Sequence, residues 1–570
     1  MRSVVAPNRA VGRVRVGLLL NEFTVAAWVA QMLREIIASN FAELVVVVIN
    51  DSNATAPGQS VIGRIFKSPL RAANSAIQKL LDVCDERLAE GPATLPDAFE
   101  AVDIRGLLGE TLHLQVNPIR TTWSDRLSPD DCARLRSLDL DVLVRVGFRI
   151  LRGEVLTCAR AGVWSFHHGD NLVNRGGPPG YWEVAENWPV TGSILQVLSE
   201  DLDNGLVLER TWSATNMRSL RDSRRNLYWK SLSMLPRQLK RLAENGHDRY
   251  MTSVKAAEEL PYLYSNRLFR RPAIATHARH IVARTIRRVS NSVRARLFRD
   301  EWVLLYQFAE EFASTLWKYK RIDPPKGRYY ADPFPVFFQG KYFVFFEEFV
   351  NSRGKGQISV MEISSTGPIG APVPVMVFDE HLSYPFTFEA EGQLWMIPEC
   401  RERAAVTLYR CAEFPGRWEK VIDLLTGVEA VDTTVHFDGA KWWLFTNIAS
   451  NFGTSRSDEL HLFHSESLIS SNWRPHPMNP VISDVRSARS AGGLFAMNGR
   501  LFRPSQDCSR RYGWGLNIAE VKILSDENYS EQVISKAVPS WSNDVVALHT
   551  FNRAGALCIA DAQIHRYRWQ

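Results

Sequence analysis

Two hydrophobic periods divide this chain. In the first part short apolar runs alternate with amphipathic segments. "RVRVGLLL" (13–20) reads as a buried strand, "AAWVAQMLREIIAS" (26–39) has helical period, and "AELVVVVIND" (42–51) is a β-branched run. That succession predicts a βαβ unit with a parallel sheet. "DVLVRVGF" (141–148) and "GVWSFHH" (162–168) add strands, and an Arg-rich helical stretch closes the region near Gly246.

From about residue 325 the period changes to that of hairpins. Five segments share one form, an apolar strand, a tight turn and a second apolar strand. They contain Gly340, Gly392, Gly439, Gly499 and Gly555, spaced 52, 47, 60 and 56 residues apart. A repeat near 50 residues with further strands between the hairpins predicts a propeller of five four-stranded blades. The expected organisation is an α/β domain over 13–246, a basic helical connector over 247–300 and an all-β five-bladed propeller over 301–570.

The connector changes the picture through its charge. Residues 267–299 hold ten Arg and neither Asp nor Glu, although the whole chain carries only +6. Ile281, Ile286, Val289 and Val293 recur with helical spacing. Such a helix packs its stripe on its own protein and solvates its Arg face, or rests peripherally on an anionic membrane. Packing is the expectation, because the stripe is thin.

Composition adds exclusions. The 45% apolar and 23% charged content is that of a globular protein of two or three domains. No run approaches the 18 apolar residues of a membrane-spanning helix, and the short apolar run at 16–20 lacks the form of a signal peptide. Seven Cys without a CxxC pair speak for a reducing, cytoplasmic location and against a disulfide framework or metal centre. The first βα turn has no GxGxxG, and no nucleic-acid-reading module is visible, so neither a dinucleotide nor nucleic acid is expected.

The segment "GVWSFHHGDNLVNRGGPPGYWEVAENWPVTGSILQVLSEDLDNGLVL" (162–208) resembles the catalytic region of folate-dependent formyltransferases, which act on methionyl-tRNA, glycinamide ribonucleotide and amino sugars. His167 falls on the family histidine, Arg175–Gly176 on its Arg-Gly, Thr191–Gly192 on its Thr-Gly, and Asp203 with Gly205 on its last element. Formyl transfer needs donors for a tetrahedral oxyanion and a proton relay for the attacking amine. The resemblance implies those roles for His167 and Asp203, with 10-formyltetrahydrofolate as donor. The family's Asn is Ser165 here, and its Ser-Leu-Leu-Pro loop is replaced by "HGDNLV". Ser165 would then stand in at the oxyanion, while His168, Asn171, Arg175 and Gly176 would line the cofactor site.

The second half offers polar residues at corresponding strand ends: Asp332, Glu399, Asp432, Arg489, Gln506, Asp507 and His549. Five-bladed glycosidases of the arabinanase, β-xylosidase and invertase type hold two Asp and one Glu at such a mouth, which Asp332, Asp432 and Glu399 imitate. "YYADPFP", "LSYPFTFE", "MIPE" and "RPSQDCSRRYG" also resemble the N-terminal domain of plant glucosamine inositolphosphorylceramide transferases. Taken together, the expected activity is formyl transfer to the amine of an amino sugar or glycan precursor, the propeller holding carbohydrate. A glycoside hydrolase and a non-enzymatic glycan-binding or assembly protein are the alternatives.

Overall fold

The computed structural model describes residues 12–51, 95–201, 204–257 and 262–569, together with Ile77, Leu80 and Val83. Asp203, one of the two expected catalytic residues, lies outside the described residues. The chain divides into two compact units. The first comprises Met1–Thr211, Thr215–Arg287 and Asn451–Gly453; the second comprises Trp212–Ala214, Arg288–Ser450 and Thr454–Gln570.

The first unit is built on a seven-stranded sheet. Its order is Leu206–Ala214, Val190–Val197, Val163–His167, Val142–Arg145, Val14–Leu20, Ala42–Asn50, Leu112–Val116. The last five of these pair in parallel, whereas Val190–Val197 runs antiparallel to Val163–His167. Burial on both faces explains why the central strands read as unbroken apolar runs. Helix Ala27–Ile37 covers one face through Trp28, Val29, Met32, Leu33 and Ile36. Strand order reverses at Val14–Leu20, so the crevice at the carboxyl ends of Val14–Leu20 and Val142–Arg145 is the switch point where open α/β sheets take ligands.

In the second unit four consecutive sheets each contain four antiparallel strands in sequence order, and a fifth joins both chain segments. Blade 1 spans Arg328–Met376, blade 2 Ser383–Thr426, blade 3 Val431–Pro475 and blade 4 Phe495–Ala537. In blade 5 the strand Leu557–Tyr567 pairs along its whole length with Phe298–Phe308. That pairing closes the ring and removes the free edges an open array would expose. The tight turns have the expected chemistry. Gln339–Gly340, Glu391–Gly392 and Asn498–Gly499 all hold both residues at positive φ, matching the twist of the strands they join.

The connector departs from expectation. Helix His247–Ala256 buries Tyr250 within the first unit. In helix Ile274–Leu297 the buried face is His277, His280, Ile281 and Arg284. Only Ile281 of the predicted stripe is buried; Ile286, Val289 and Val293 are exposed. The stripe has the right period, but the helix turns its neighbouring face inward.

Candidate functional site

A repeated irregularity builds the mouth of the propeller. The first strand of blades 1, 2 and 3 slips register at Ala331/Phe334, Ser383/Phe386 and Val431/Thr434. The residues expelled there, Asp332, Tyr384 and Asp432, adopt φ of 51°, 42° and 49°. Non-glycine residues pay for such a conformation, and bulges of this kind re-aim side chains next to functional sites. Here they turn three polar side chains towards adjoining blades.

A second repeat stabilises the first. Glu399 and Asn447 end the second strand of their hairpins and Asp561 stands within strand Leu557–Tyr567; each accepts a backbone N–H from the following blade. The donors are Asp432 at 3.1 Å, Ser490 at 3.1 Å and Asp332 at 2.8 Å. The side chains then interlock. Asp332 accepts from Tyr384 N (3.2 Å) and Thr550 Oγ1 (2.7 Å). Asp432 accepts from Arg489 Nε (2.6 Å) and Gln506 Nε2 (3.1 Å). The Tyr384 hydroxyl accepts from Gly492 N at 2.8 Å. His549 Nδ1 lies 2.7 Å from Asp561, its Nε2 3.6 Å from Asp332, and its ring stacks on Trp302 at 4.0 Å.

Charge in this ring is unbalanced. Asp332, Glu347, Glu399, Asp432 and Asp561 face two cationic groups, Arg489 and His549. Burial, reinforced by Asp432, raises Glu399 to about 8. Burial raises Asp332 to about 6, with His549 opposing and Asp561 adding to the shift. Burial and the Asp332 charge hold Glu347 well above the ordinary carboxyl range. For His549 burial alone favours the neutral ring, but Asp561 and Asp332 outweigh it and the imidazole binds its proton more tightly than usual. His381 is lowered by burial; its Nδ1 accepts Gly356 N–H at 2.8 Å, leaving Nε2 to face Glu347 at 3.6 Å. The cluster meets solvent at partly exposed Glu399, Tyr329 and His381 and at exposed Tyr512, whose ring lies 4.8 Å under the Arg489 guanidinium. Asp332, His549 and Asp561 offer ligand atoms within 4.8 Å of one another. A small cation could be held there only by opening the His549–Asp561 hydrogen bond.

Of the mouth residues expected from sequence, Asp332, Glu399, Asp432, Arg489, Gln506 and His549 join this network. Asp507 does not, because its carboxylate caps the turn at Ser509 N, 2.9 Å away. Tyr384, Glu347, Asp561 and Thr550 complete the ring. Aligning the hairpins would have found Tyr384, since Tyr384-Pro385-Phe386 repeats Asp332-Pro333-Phe334 after 52 residues.

The α/β unit treats its candidates differently. Ser165 Oγ accepts from Arg145 Nε at 3.0 Å. His167 Nε2 lies 2.7 Å from the Asn174 carbonyl, which can only accept, so that nitrogen carries the proton and spends it inside the loop. His168 is driven down to about 3 by burial, and its ring lies tilted against Tyr228 at 3.8 Å. Asn171 is tied to Arg210 at 2.7 Å, and Arg175 donates to the Asn171 carbonyl at 2.9 Å while covering Tyr264. A Cβ on Gly176 would stand 2.1 Å from the Phe269 carbonyl oxygen, so this glycine admits a neighbouring backbone segment. As arranged, these residues do not fit a folate donor: the groups expected to face its formyl oxygen or line its site are engaged within the protein.

Residues 323–550 match the family described as glucosamine inositolphosphorylceramide transferase 1, N-terminal. The Arabidopsis thaliana protein of that name is 33% identical over 206 residues, covering 35% of this chain and 26% of its own. The Oryza sativa subsp. japonica counterpart is 34% identical over 215 residues, covering 36% and 28%. The matched part thus spans little more than a quarter of these relatives. Among solved structures, a family 117 glycoside hydrolase of Zobellia galactanivorans aligns with 13% identity over 46% of this chain and 90% of its own, TM-score 0.30. Glycinamide ribonucleotide transformylase 1 of Symbiobacterium toebii aligns with 14% identity over 42% and 92%, TM-score 0.26. Scores this low leave the fold assignment resting on the strand topology. The second unit is similar to the N-terminal part of those plant transferases.

Proposed function

We propose that this chain handles a glycan or glycolipid precursor by binding an amino sugar at the mouth of its propeller. The observation that carries the reading is the charge imbalance: five carboxyl groups from four blades converge around two cationic side chains. A protonated amine relieves that imbalance, whereas a phosphate or uronate would add to it. Vicinal sugar hydroxyls suit carboxylates and guanidinium, and Tyr512 and Tyr329 offer rings for a pyranose face. The relatives' name, which couples glucosamine with an inositol-bearing sphingolipid, supports the same class of ligand.

Calorimetric titration of the full chain with glucosamine and with N-acetylglucosamine tests the reading. Glucosamine is expected to bind at least about tenfold more tightly, since acetylation removes the charge without removing the ring hydroxyls. Equal affinity for the two sugars, or binding of neither, would sink it.

A second reading rests on the separation of two carboxyls. At neutral pH Asp332, at about 6, is largely ionised and Glu399, at about 8, largely protonated, which is the division of labour of an acid–base pair in glycoside hydrolysis. Release of nitrophenol from aryl glycosides, lost in both Asp332→Asn and Glu399→Gln, would support it. Absence of release across a panel of furanosides and pyranosides would remove it.

A further inference from the structure

We propose that helix Ile274–Leu297 is a peripheral docking surface for an anionic lipid bilayer. The helix is 24 residues long, about 36 Å at 1.5 Å per residue. At 100° per residue Val282, Ile286, Val289 and Val293 fall within an arc of about 60°. All four are exposed, from 50% to 65%, and Leu297 continues the row at 37%. From Val289 to Leu297 every residue is exposed, so none of the described residues covers this stretch. Isolated surface apolar residues are ordinary, but a continuous row over four turns calls for a covering.

Charge identifies the covering. The row is flanked by exposed Arg279, Arg294 and Arg296, and no acidic residue occurs between 267 and 299. The next acid, Asp300, is already held by Arg511 at 2.6 Å and His565 at 2.5 Å. An apolar row bordered by arginines is the form that lies in the plane of a negatively charged membrane, with its side chains at the boundary of headgroups and acyl chains.

The carboxyl end of the helix adds a second observation. Arg568 anchors there through its backbone N–H to the Leu297 carbonyl (3.0 Å) and its Nε to the Ala295 carbonyl (3.0 Å). This brings Tyr567, tilted against Phe298 at 4.6 Å, and Trp569 beside the end of the row, where they are 48% and 74% exposed. Tyr and Trp with arginine at the end of an apolar row have the amphipathic character of a membrane–water interface.

Vesicle co-sedimentation of the full chain tests the proposal. Vesicles of phosphatidylcholine with about 30% phosphatidylserine are expected to take up at least about tenfold more protein than phosphatidylcholine alone. Raising NaCl from about 0.1 to 0.5 M should cut uptake severalfold, because screening shortens the reach of the arginines. Val289→Asp/Val293→Asp should lower uptake about tenfold and Arg294→Glu/Arg296→Glu severalfold, both with unchanged circular dichroism and melting temperature. No uptake by the wild type, or equal uptake by wild type and Val289→Asp/Val293→Asp, would overturn it. So would a dimer that this double variant dissociates, without vesicle binding, since a second copy would then cover the row.

Discussion

The propeller mouth and the strand end of the α/β unit hold similar inventories of polar side chains and use them in opposite ways. At Ser165–Gly176 each polar group is taken up by a nearby protein partner: Arg145 of the adjacent strand on Ser165, the Asn174 carbonyl on His167, and Arg210 of strand Leu206–Ala214 on Asn171. At the mouth the groups come from different blades and do not neutralise one another. Asp432 has Arg489, but buried Glu347 and partly exposed Glu399 lie among further carboxyls and hold their protons above the usual range. Pairwise engagement leaves these groups satisfied within the protein. Convergence of repeats yields unbalanced charge, and unbalanced buried charge is what a ligand can relieve. A residue that matches a catalytic motif in order and spacing can therefore serve the fold, while residues with no sequence proximity assemble the reactive surface.

The sharpest way to break this contrast is to cut the Arg489–Asp432 ion pair of the ring. Arg489→Ala leaves Asp432 buried without its cation, and loss of a buried partner costs about 3–5 kcal/mol. The variant is expected to melt many degrees lower, as followed by tryptophan fluorescence. A melting curve like that of the wild type would mean the ring is not cross-braced as described.

Glu399→Gln probes the unbalanced charge. A carboxyl whose folded pKa is raised binds its proton more tightly in the folded state, so its contribution is present below the unfolded value and lost as pH rises through the folded one. Wild-type stability should fall between about pH 5 and pH 8.5, and the variant should be the more stable at the upper end, by on the order of 1–3 kcal/mol in urea unfolding. Parallel pH profiles for wild type and variant would show that Glu399 ionises as an ordinary surface acid.

The smallest effect is expected in the α/β unit. His167→Ala removes one hydrogen bond that pins the loop and should cost about 1–2 kcal/mol. If the variant instead kept full stability and abolished a folate-dependent turnover shown by the wild type, the contrast between the two regions would fail.

The blades were legible because a hairpin must alternate its side chains and turn on residues that tolerate positive φ, and both leave a mark in sequence at Gly340, Gly392 and Gly499. Six of the seven expected mouth residues were legible because polar side chains recur at corresponding places around the hairpin repeats. Tyr384 was missed because an aromatic inside an apolar hairpin, read by itself, looks like core; only its alignment with Asp332 in the preceding hairpin marks it as a mouth residue. Asp507 follows Gln506, and alternation along a strand sends it to the other side, where it caps a turn. In the α/β unit the motif order gave the positions of Ser165, His167 and Arg175, but hydrogen bonds to main-chain carbonyls carry no sequence signature. The helix at Ile274–Leu297 shows the same limit: period reveals a stripe, while the inward face was set by His277, His280 and Arg284.

The most direct test of the central claim is a crystal structure of the chain soaked with glucosamine. The account predicts sugar at the mouth, its ammonium within hydrogen-bond distance of Glu399 or Asp432. Sugar bound away from the ring at saturating concentration, or a ring that excludes it, would contradict the account.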